Sequence, residues 1–295
     1  QRQMCIRDRC IPERLLEFEK RVDECYRKLG AIPICSCLPY LLGNFMMKED
    51  HFAWAGSAGA TFANSVIGAR GNREGGISTI AAAITGRTPN YGLHITENRY
   101  GKVLVDLSKL DFYKITNTDL TCVGFYIGKQ LVDKTPVLKG VPQNLSLEQI
   151  RSIIAPMPTG GAISMAHIIG VTPEAPTEKA AFGEKNPEDV LEITGKEIQE
   201  IYDLLSTAKD RKVDIIALGC PHCTYQEIKE VAQKIQGKKV HGDTLLWIFT
   251  AKQIKNIAEK MGFVDIIEKA GGRFISDTCA APGATFEYIK GARIV

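Results

Sequence analysis

The sequence predicts an α/β protein with a parallel sheet covered by helices, and three observations carry that prediction. Apolar β-branched runs alternate with amphipathic segments of helix length through the last third of the chain. Two of those runs end in cysteine-bearing turns, Gly219-Cys220-Pro221-His222 and Asp277-Thr278-Cys279. A length of 295 residues with 44% apolar content allows a sizeable core, in one large domain or two modest ones.

Each element follows from a local signal. Residues 12–29 place Leu15, Phe18, Val22, Cys25 and Leu29 at spacings of three and four, a helical period, and Gly30 stops it. The leading residues 1–9 have no apolar period, so Cys5 and Cys10 carry little weight. Residues 34–76 are dense in Gly, Ala, Asn and Ser, which suits closely packed backbone better than a surface helix. Residues 101–107 and 122–127 read as short strands. Residues 156–171 read as a small-residue loop followed by a short helix carrying His167, and the polar stretch 173–187 as a soft boundary. Thr194 with Glu197, and Thr224 with Glu227, have capping-box spacing and open two helices. Residues 213–218, 245–249 and 273–276 read as buried strands, with a further helix over 252–261.

Composition narrows the function classes. Thirty-seven basic and 34 acidic residues leave a net charge of +3, without the basic run a nucleic-acid surface uses. No stretch reaches the ~18 apolar residues of a membrane span. Arg2, Arg7, Asp8 and Arg9 interrupt any export signal. The expectation is a cytoplasmic protein that engages neither nucleic acid nor membrane. Nine cysteines in a reducing compartment then read as thiols or metal ligands.

In parallel sheets ligands collect beyond the carboxyl ends of the strands, so Cys220 and Cys279 point to one region. The turn Cys35-Ser36-Cys37-Leu38-Pro39-Tyr40 supplies a third cysteine. Three thiolates from distant segments suit an iron–sulfur centre with one iron left open to act as a Lewis acid. Two other readings stand beside it: small buried residues without a ligand, or a zinc site from Cys35, Cys37, Cys220 and Cys223. The segment 62–76 sets Arg70, Arg73, Asn64, Asn72 and Glu74 among glycines, a pattern that can grip a carboxylate or phosphate or form a polar turn with internal ion pairs. The loop Pro158-Thr159-Gly160-Gly161-Ala162 is equally an anion cradle or a tight turn. His51 and His222 lie beside the cysteine segments and could assist acid–base chemistry or orient a ligand. His167 reads as a core histidine, and His94 and His241 remain open.

Taken in order, Cys37-Leu38-Pro39-Tyr40, Trp54-Ala55, Ala63-Asn64-Ser65-Val66, Gly68-Ala69-Arg70 and Asn72-Arg73-Glu74-Gly75 resemble the large part of the aconitase X family. Thr85-Gly86-Arg87-Thr88-Pro89, Pro158 to Ala162 and the two cysteine turns extend the resemblance over nearly everything after the first helix. It implies aconitase-like parallel-sheet layers with helices, incomplete at both ends. It implies an iron–sulfur cluster, 4Fe-4S favoured, on Cys37, Cys220 and Cys279. The implied reaction is a hydro-lyase dehydration of a small hydroxy acid, either mevalonate 5-phosphate or 3-hydroxyproline, with a small swivelling domain or subunit completing the site. Asn64 and Ser65 match substrate-contacting positions; Arg70, Asn72 and Arg73 join them as expected substrate-binding residues. No catalytic base is assigned. The chain departs from the family pattern at Gly56, Gly71 and the Lys48-Glu49-Asp50-His51 segment. The regions expected are an N-terminal helix with atypical leading residues (1–30), a Gly-rich substrate-binding region (31–176) and an α/β cluster-binding region (177–295). The rivals are a non-catalytic metal-binding structural subunit and an aconitase-type isomerase.

Overall fold

The computed structural model describes residues 13–279 apart from 209 and 211; Cys5, Cys10 and the atypical leading segment lie outside the described residues. It divides into two compact units, one drawn from Gln1–Leu42 together with Ala208–Val295, the other from Gly43–Thr207.

The described residues open with helix α1 (Glu13–Lys28), where the three-and-four spacing predicts one. Phe18 and Leu29 on its apolar stripe nevertheless stay exposed. The unit Gly43–Thr207 then begins with a short helix α2 (Ser57–Phe62), which widens into a π-helical turn over Ala63–Ile67 and is followed by α3 (Gly76–Thr85). Next come β1 (Val103–Asp106), α4 (Asn117–Leu131), β2 (Pro136–Lys139), α5 (Leu147–Ile154), α6 (Met157–Gly160), β3 (His167–Ile168), α7 (Glu178–Ala181), β4 (Asp189–Glu192) and α8 (Gly195–Leu205). Its sheet is parallel throughout, in the order β3-β2-β1-β4, with Leu104 facing Val137 on one side and Val190 on the other.

Two expectations change here. The run 122–127 lies inside α4 and is helical. Thr116 and Asp119 form a capping box that starts a 15-residue helix. Leu120, Val123 and Ile127, three and four apart, face Ile153, Ile154 and Met157 in the core. The β-branched run is therefore the buried stripe of a helix. Gly124 and Gly128, one turn apart on α4, let it approach closely: a Cβ on either would stand 2.0 or 2.2 Å from the carbonyl oxygens of Ile153 and Met157. His167 sits on a two-residue strand, since the segment after α6 extends to pair with β2. It is a core histidine, with Nε2 2.8 Å from the Arg99 carbonyl oxygen.

The other unit carries β5 (Ile215–Leu218), α9 (Tyr225–Ile235), β6 (Leu245–Thr250), α10 (Lys252–Lys260), α11 (Phe263–Lys269) and β7 (Gly272–Ser276). Its parallel sheet runs β5-β6-β7. Ile228, Ala232, Ile254, Ala258, Val264 and Ile267 pack from the helices against Leu246 and Ile248 of the central strand. Each fully buried Ile in this layer contributes about 1.5–3 kcal/mol relative to exposure. No helix among the described residues is long and apolar enough to cross a membrane.

Candidate functional site

Beyond the carboxyl ends of β5 and β7 the backbone is bent by two left-handed residues. Gly219 has φ 115°, and a Cβ there would stand 2.2 Å from the Phe249 carbonyl oxygen, so the chain can turn off β5 into Cys220 only with glycine. Asp277 has φ 61°; its Oδ1 accepts the Lys252 amide at 3.0 Å, which ties the end of β7 to the start of α10. Cys220 and Cys279 emerge from these bends.

The three predicted cysteines meet. The Cys220 thiol is hydrogen-bonded to Cys279, and this contact, then burial, then the charges of Cys279 and Cys37 push its pKa far upward. A cluster of thiols that opposes its own ionisation is one that a bound cation stabilises, because the cation supplies the missing counter-charge. His222 holds the three segments together. Its backbone amide donates to Cys37 Sγ at 3.2 Å, its Nε2 meets the Thr278 carbonyl oxygen at 2.7 Å, and its Nδ1 meets Ser36 Oγ at 3.1 Å. A carbonyl can only accept, so Nε2 carries a proton; in the neutral ring Nδ1 then accepts from Ser36. The ring is 3% exposed, a connector between cysteine segments rather than a surface acid.

Cys223 lies three residues after Cys220. It is buried in the helix–sheet core, its amide donating to the Phe249 carbonyl at 2.9 Å and its carbonyl accepting from Thr250 Oγ1 at 2.7 Å. Among the described residues no three His, Cys, Asp or Glu side chains are grouped as a single metal ion requires. Zinc needs every sulfur about 2.3 Å from one ion, whereas a cluster distributes its thiolates over several irons. Three cysteine thiols from separate segments are a donor set that an iron–sulfur cluster takes.

The other predicted residues lie in the unit Gly43–Thr207. Residues 49–54 and 68–74 run side by side, with parallel bridges pairing His51 with Arg70 and Trp54 with Arg73. Asn64 is fully buried and fully engaged. Its Nδ2 donates to the carbonyls of Gly71 (2.7 Å) and Ser164 (3.0 Å), and its Oδ1 accepts from Gly71 N (3.0 Å) and Arg99 Nη1 (3.2 Å). Two donors and two lone pairs are all an amide has. Ser65, 1% exposed, accepts the Ala166 amide at 2.9 Å. Asn72 clasps the turn ahead of His94, donating to the Tyr91 carbonyl (3.2 Å) and accepting from Leu93 N (2.9 Å).

The arginines differ from these. Arg70 donates from Nη1 to Thr96 Oγ1 (2.8 Å) and the His94 carbonyl (3.4 Å), and Arg73 donates to the Pro158 carbonyl (3.3 Å). Among the described residues neither is paired with a carboxylate, so both retain donors for an anion. The loop Pro158 to Ala162 proves to be a packing turn. Its amides from Thr159 onward donate to the carbonyls of Pro156, Met157 and Val132, leaving no cradle.

Two residues, Arg99 and Glu174, were not singled out from the sequence, and His94 was left open. Arg99, 1% exposed, donates to Glu174 through Nε and Nη2 and to Asn64 and Leu93. Glu174 balances its charge. His94, buried behind His51, meets it through Nδ1 on both rings at 2.8 Å.

An α/β chain with convergent cysteines at its strand ends and a guanidinium-lined turn is the class the geometry defines. The particular family follows from sequence: the chain belongs to the aconitase X family. The family's first, second and third domains match residues 2–97, 101–203 and 213–293. A phosphomevalonate dehydratase large subunit from Methanocaldococcus jannaschii is 35% identical over 91% of this chain and 66% of its own. A cis-3-hydroxy-L-proline dehydratase from Pseudomonas aeruginosa is 30% identical over 92% of this chain and 47% of its own. The crystal structure of holo-form aconitase X from Thermococcus kodakaraensis superposes with a TM-score of 0.80 at 33% identity, covering 91% of this chain and 67% of that one. The chain thus spans 64–66% of the length of the first phosphomevalonate dehydratase relatives it matches.

Proposed function

We propose that this chain is the catalytic large part of an iron–sulfur hydro-lyase that removes water from a small anionic hydroxy acid. The observation that carries the reading is the convergence of Cys37, Cys220 and Cys279, held by His222, in a chain of the aconitase X family. Three cysteines would hold the cluster, 4Fe-4S being the nuclearity the reading takes. When bound, such a cluster supplies a Lewis-acidic iron that polarises the substrate hydroxyl.

The chain's own residues account for binding. Arg70 and Arg73 offer guanidinium donors to a carboxylate or phosphate. Asn64 and Asn72 act one step back, fixing the backbone of residues 64–72 and 91–93 that presents those arginines. In this reading Asn64 supports the turn, because its two donors and two lone pairs already have protein partners, while the Ser65 hydroxyl keeps a donor for substrate. Mevalonate 5-phosphate is the substrate favoured, since four phosphomevalonate dehydratase large subunits match at 35–36% identity and a fifth at 28%, against 30% for two hydroxyproline enzymes. The name "large subunit" carried by those relatives supports a small partner subunit that completes the site.

The test is anaerobic preparation with iron and sulfide analysis, followed by turnover of mevalonate 5-phosphate and cis-3-hydroxy-L-proline with the small subunit present. Cys220→Ser should abolish cluster loading, whereas Cys223→Ala should preserve it. Equal iron content in wild type and Cys220→Ser would refute the ligand assignment. Arg73→Lys should weaken substrate binding roughly ten- to a hundredfold, as loss of a charge-assisted contact of about 1.5–3 kcal/mol requires.

A further inference from the structure

The two cysteine turns at the ends of β5 and β7 are held side by side by the chain's own hydrogen bonds. His222 lies two residues after Cys220 and Thr278 one residue before Cys279, and the 2.7 Å bond from His222 Nε2 to the Thr278 carbonyl oxygen ties the turns together. The Cys223 amide on the Phe249 carbonyl at 2.9 Å anchors one turn to β6, and the Lys252 amide on Asp277 Oδ1 at 3.0 Å anchors the other to α10. Between these anchors the Cys220 thiol meets Cys279 in a hydrogen bond. Two sulfurs in that contact need only a small side-chain movement to reach an S–S separation of about 2.05 Å.

Other cysteines are placed differently. Cys37 bears on Cys220 through charge, and its Sγ accepts the His222 amide at 3.2 Å. Cys122 and Cys223 are buried, each in the core of its own unit. Cys220 is exposed and Cys279 partly exposed, so a small oxidant reaches both. An accessible thiol with a second thiol against it is the arrangement in which oxidation ends as a disulfide, because the neighbour captures the sulfenic acid before more oxygen adds.

We propose that Cys220 and Cys279 are an oxidative modification site, forming a reversible disulfide in the cluster-free chain that closes the cysteine group to iron until it is reduced. The oxidant is a hydroperoxide, hydrogen peroxide in the simplest case. Cys220 donates the shared hydrogen bond, so Cys279 presents the sulfur lone pair. That pair attacks a peroxide oxygen: the O–O bond breaks, an S–O bond forms, and the displaced hydroxide takes the Cys279 thiol proton to leave as water. Cys279 is then a sulfenic acid. The Cys220 sulfur attacks the Cys279 sulfur, the S–S bond forms, the S–O bond breaks, and the hydroxyl departs with the Cys220 proton as a second water. Two thiols and one peroxide thus give one disulfide and two waters, and a dithiol reductant reverses the change. The bridge consumes two of the three sulfurs, and Cys37 alone cannot hold a cluster. This consequence for loading rests on the iron–sulfur reading; the bridge itself does not.

The experiment uses the full chain, freed of metal with a chelator, reduced, and then treated with hydrogen peroxide. Free thiols counted after unfolding should fall by two from the nine cysteines of the sequence. Digestion without reductant should yield a cross-linked peptide pair holding Cys220 and Cys279, and dithiothreitol should restore both thiols. In Cys220→Ser the Cys279 sulfenic acid should be trapped by dimedone, whereas Cys122→Ser should keep the bridge. Offered a cluster-loaded scaffold protein, with no free sulfide or thiol reductant, the bridged chain should acquire no iron above background and the re-reduced chain should load as before oxidation. In the wild-type chain, a predominant bridge to Cys35 or Cys37, or sulfinic and sulfonic acids on Cys220 and Cys279 without a bridge, would overturn the proposal. Equal loading of the bridged and reduced chains would overturn the closure to iron. A reduced chain that takes up no iron, with the bridge mapped as expected, would overturn the iron–sulfur reading and leave the modification site standing.

Discussion

Removing the Glu174 carboxylate is the sharpest test of how the arginine-bearing turn is held. Arg99 is 1% exposed, and its guanidinium is balanced by Glu174, with Nε 3.0 and 2.9 Å from the two carboxylate oxygens and Nη2 2.5 Å from Oε1. In Glu174→Ala the positive charge stays buried with three neutral acceptors, the Leu93 carbonyl at 3.0 Å, the Asn64 carbonyl at 3.1 Å and Asn64 Oδ1 at 3.2 Å. Stranding a buried charge in this way costs about 3–5 kcal/mol. The remaining acceptors and the partial exposure of Glu174 put the expectation near the lower end, about 3 kcal/mol. For a unit of this size each kcal/mol lowers the midpoint by about 2–4 °C, so the loss should be roughly 6–12 °C. Glu174→Gln keeps an acceptor and should lose about half as much. Differential scanning calorimetry of the chain decides the matter: a Glu174→Ala midpoint within about 2 °C of wild type would mean that the pair does not anchor this turn.

The buried histidines predict a pH dependence. Burial lowers the pKa of both His94 and His167 from 6.5, so below that value the unfolded chain binds more protons than the folded one. Their stabilising contribution is present above pH 6.5 and is lost as pH falls toward the folded values; the midpoint should decline on acidification, and less steeply in His167→Gln. Gly128→Ala should cost about 1–3 kcal/mol through overpacking against immovable backbone, since its Cβ would stand 2.2 Å from the Met157 carbonyl, whereas Gly242→Ala, with nothing within 4 Å, should leave the midpoint unchanged. His222→Leu should reduce iron retention after desalting, because it deletes the links from Nδ1 to Ser36 and from Nε2 to Thr278; full retention would show that the cysteine segments hold their places without the ring.

Local signals were legible where they were self-contained. Thr194 with Glu197 and Thr224 with Glu227 predict helix starts from four consecutive residues, and both form capping boxes. The run 122–127 misled because a β-branched stripe looks alike on a strand and on the buried face of a helix; the Thr116 and Asp119 box just upstream distinguishes them. Strand β4 gave no signal because it is a short, largely exposed edge. Cys220 and Cys279 were brought together by the strand-end rule, while Cys37 needed the family resemblance to separate it from Cys35. The link between Ser36 and His222 spans 186 residues, and the His51–His94 pair spans 43. Nothing in either local sequence announces its partner, since such contacts exist only after the chain has closed on itself.

The unit bearing the cysteines is discontinuous: it takes up the chain through Leu42 and again from Ala208, with Gly43–Thr207 made in between. On the ribosome Cys37 therefore emerges long before Cys220 and Cys279. At translation speeds of roughly 5–20 residues per second the delay is on the order of tens of seconds. Throughout that interval Cys37 lacks both companion thiols and the His222 amide that contacts its sulfur. The intervening unit can meanwhile form its own sheet and core. An oxidant present during elongation meets Cys37 before these neighbours exist.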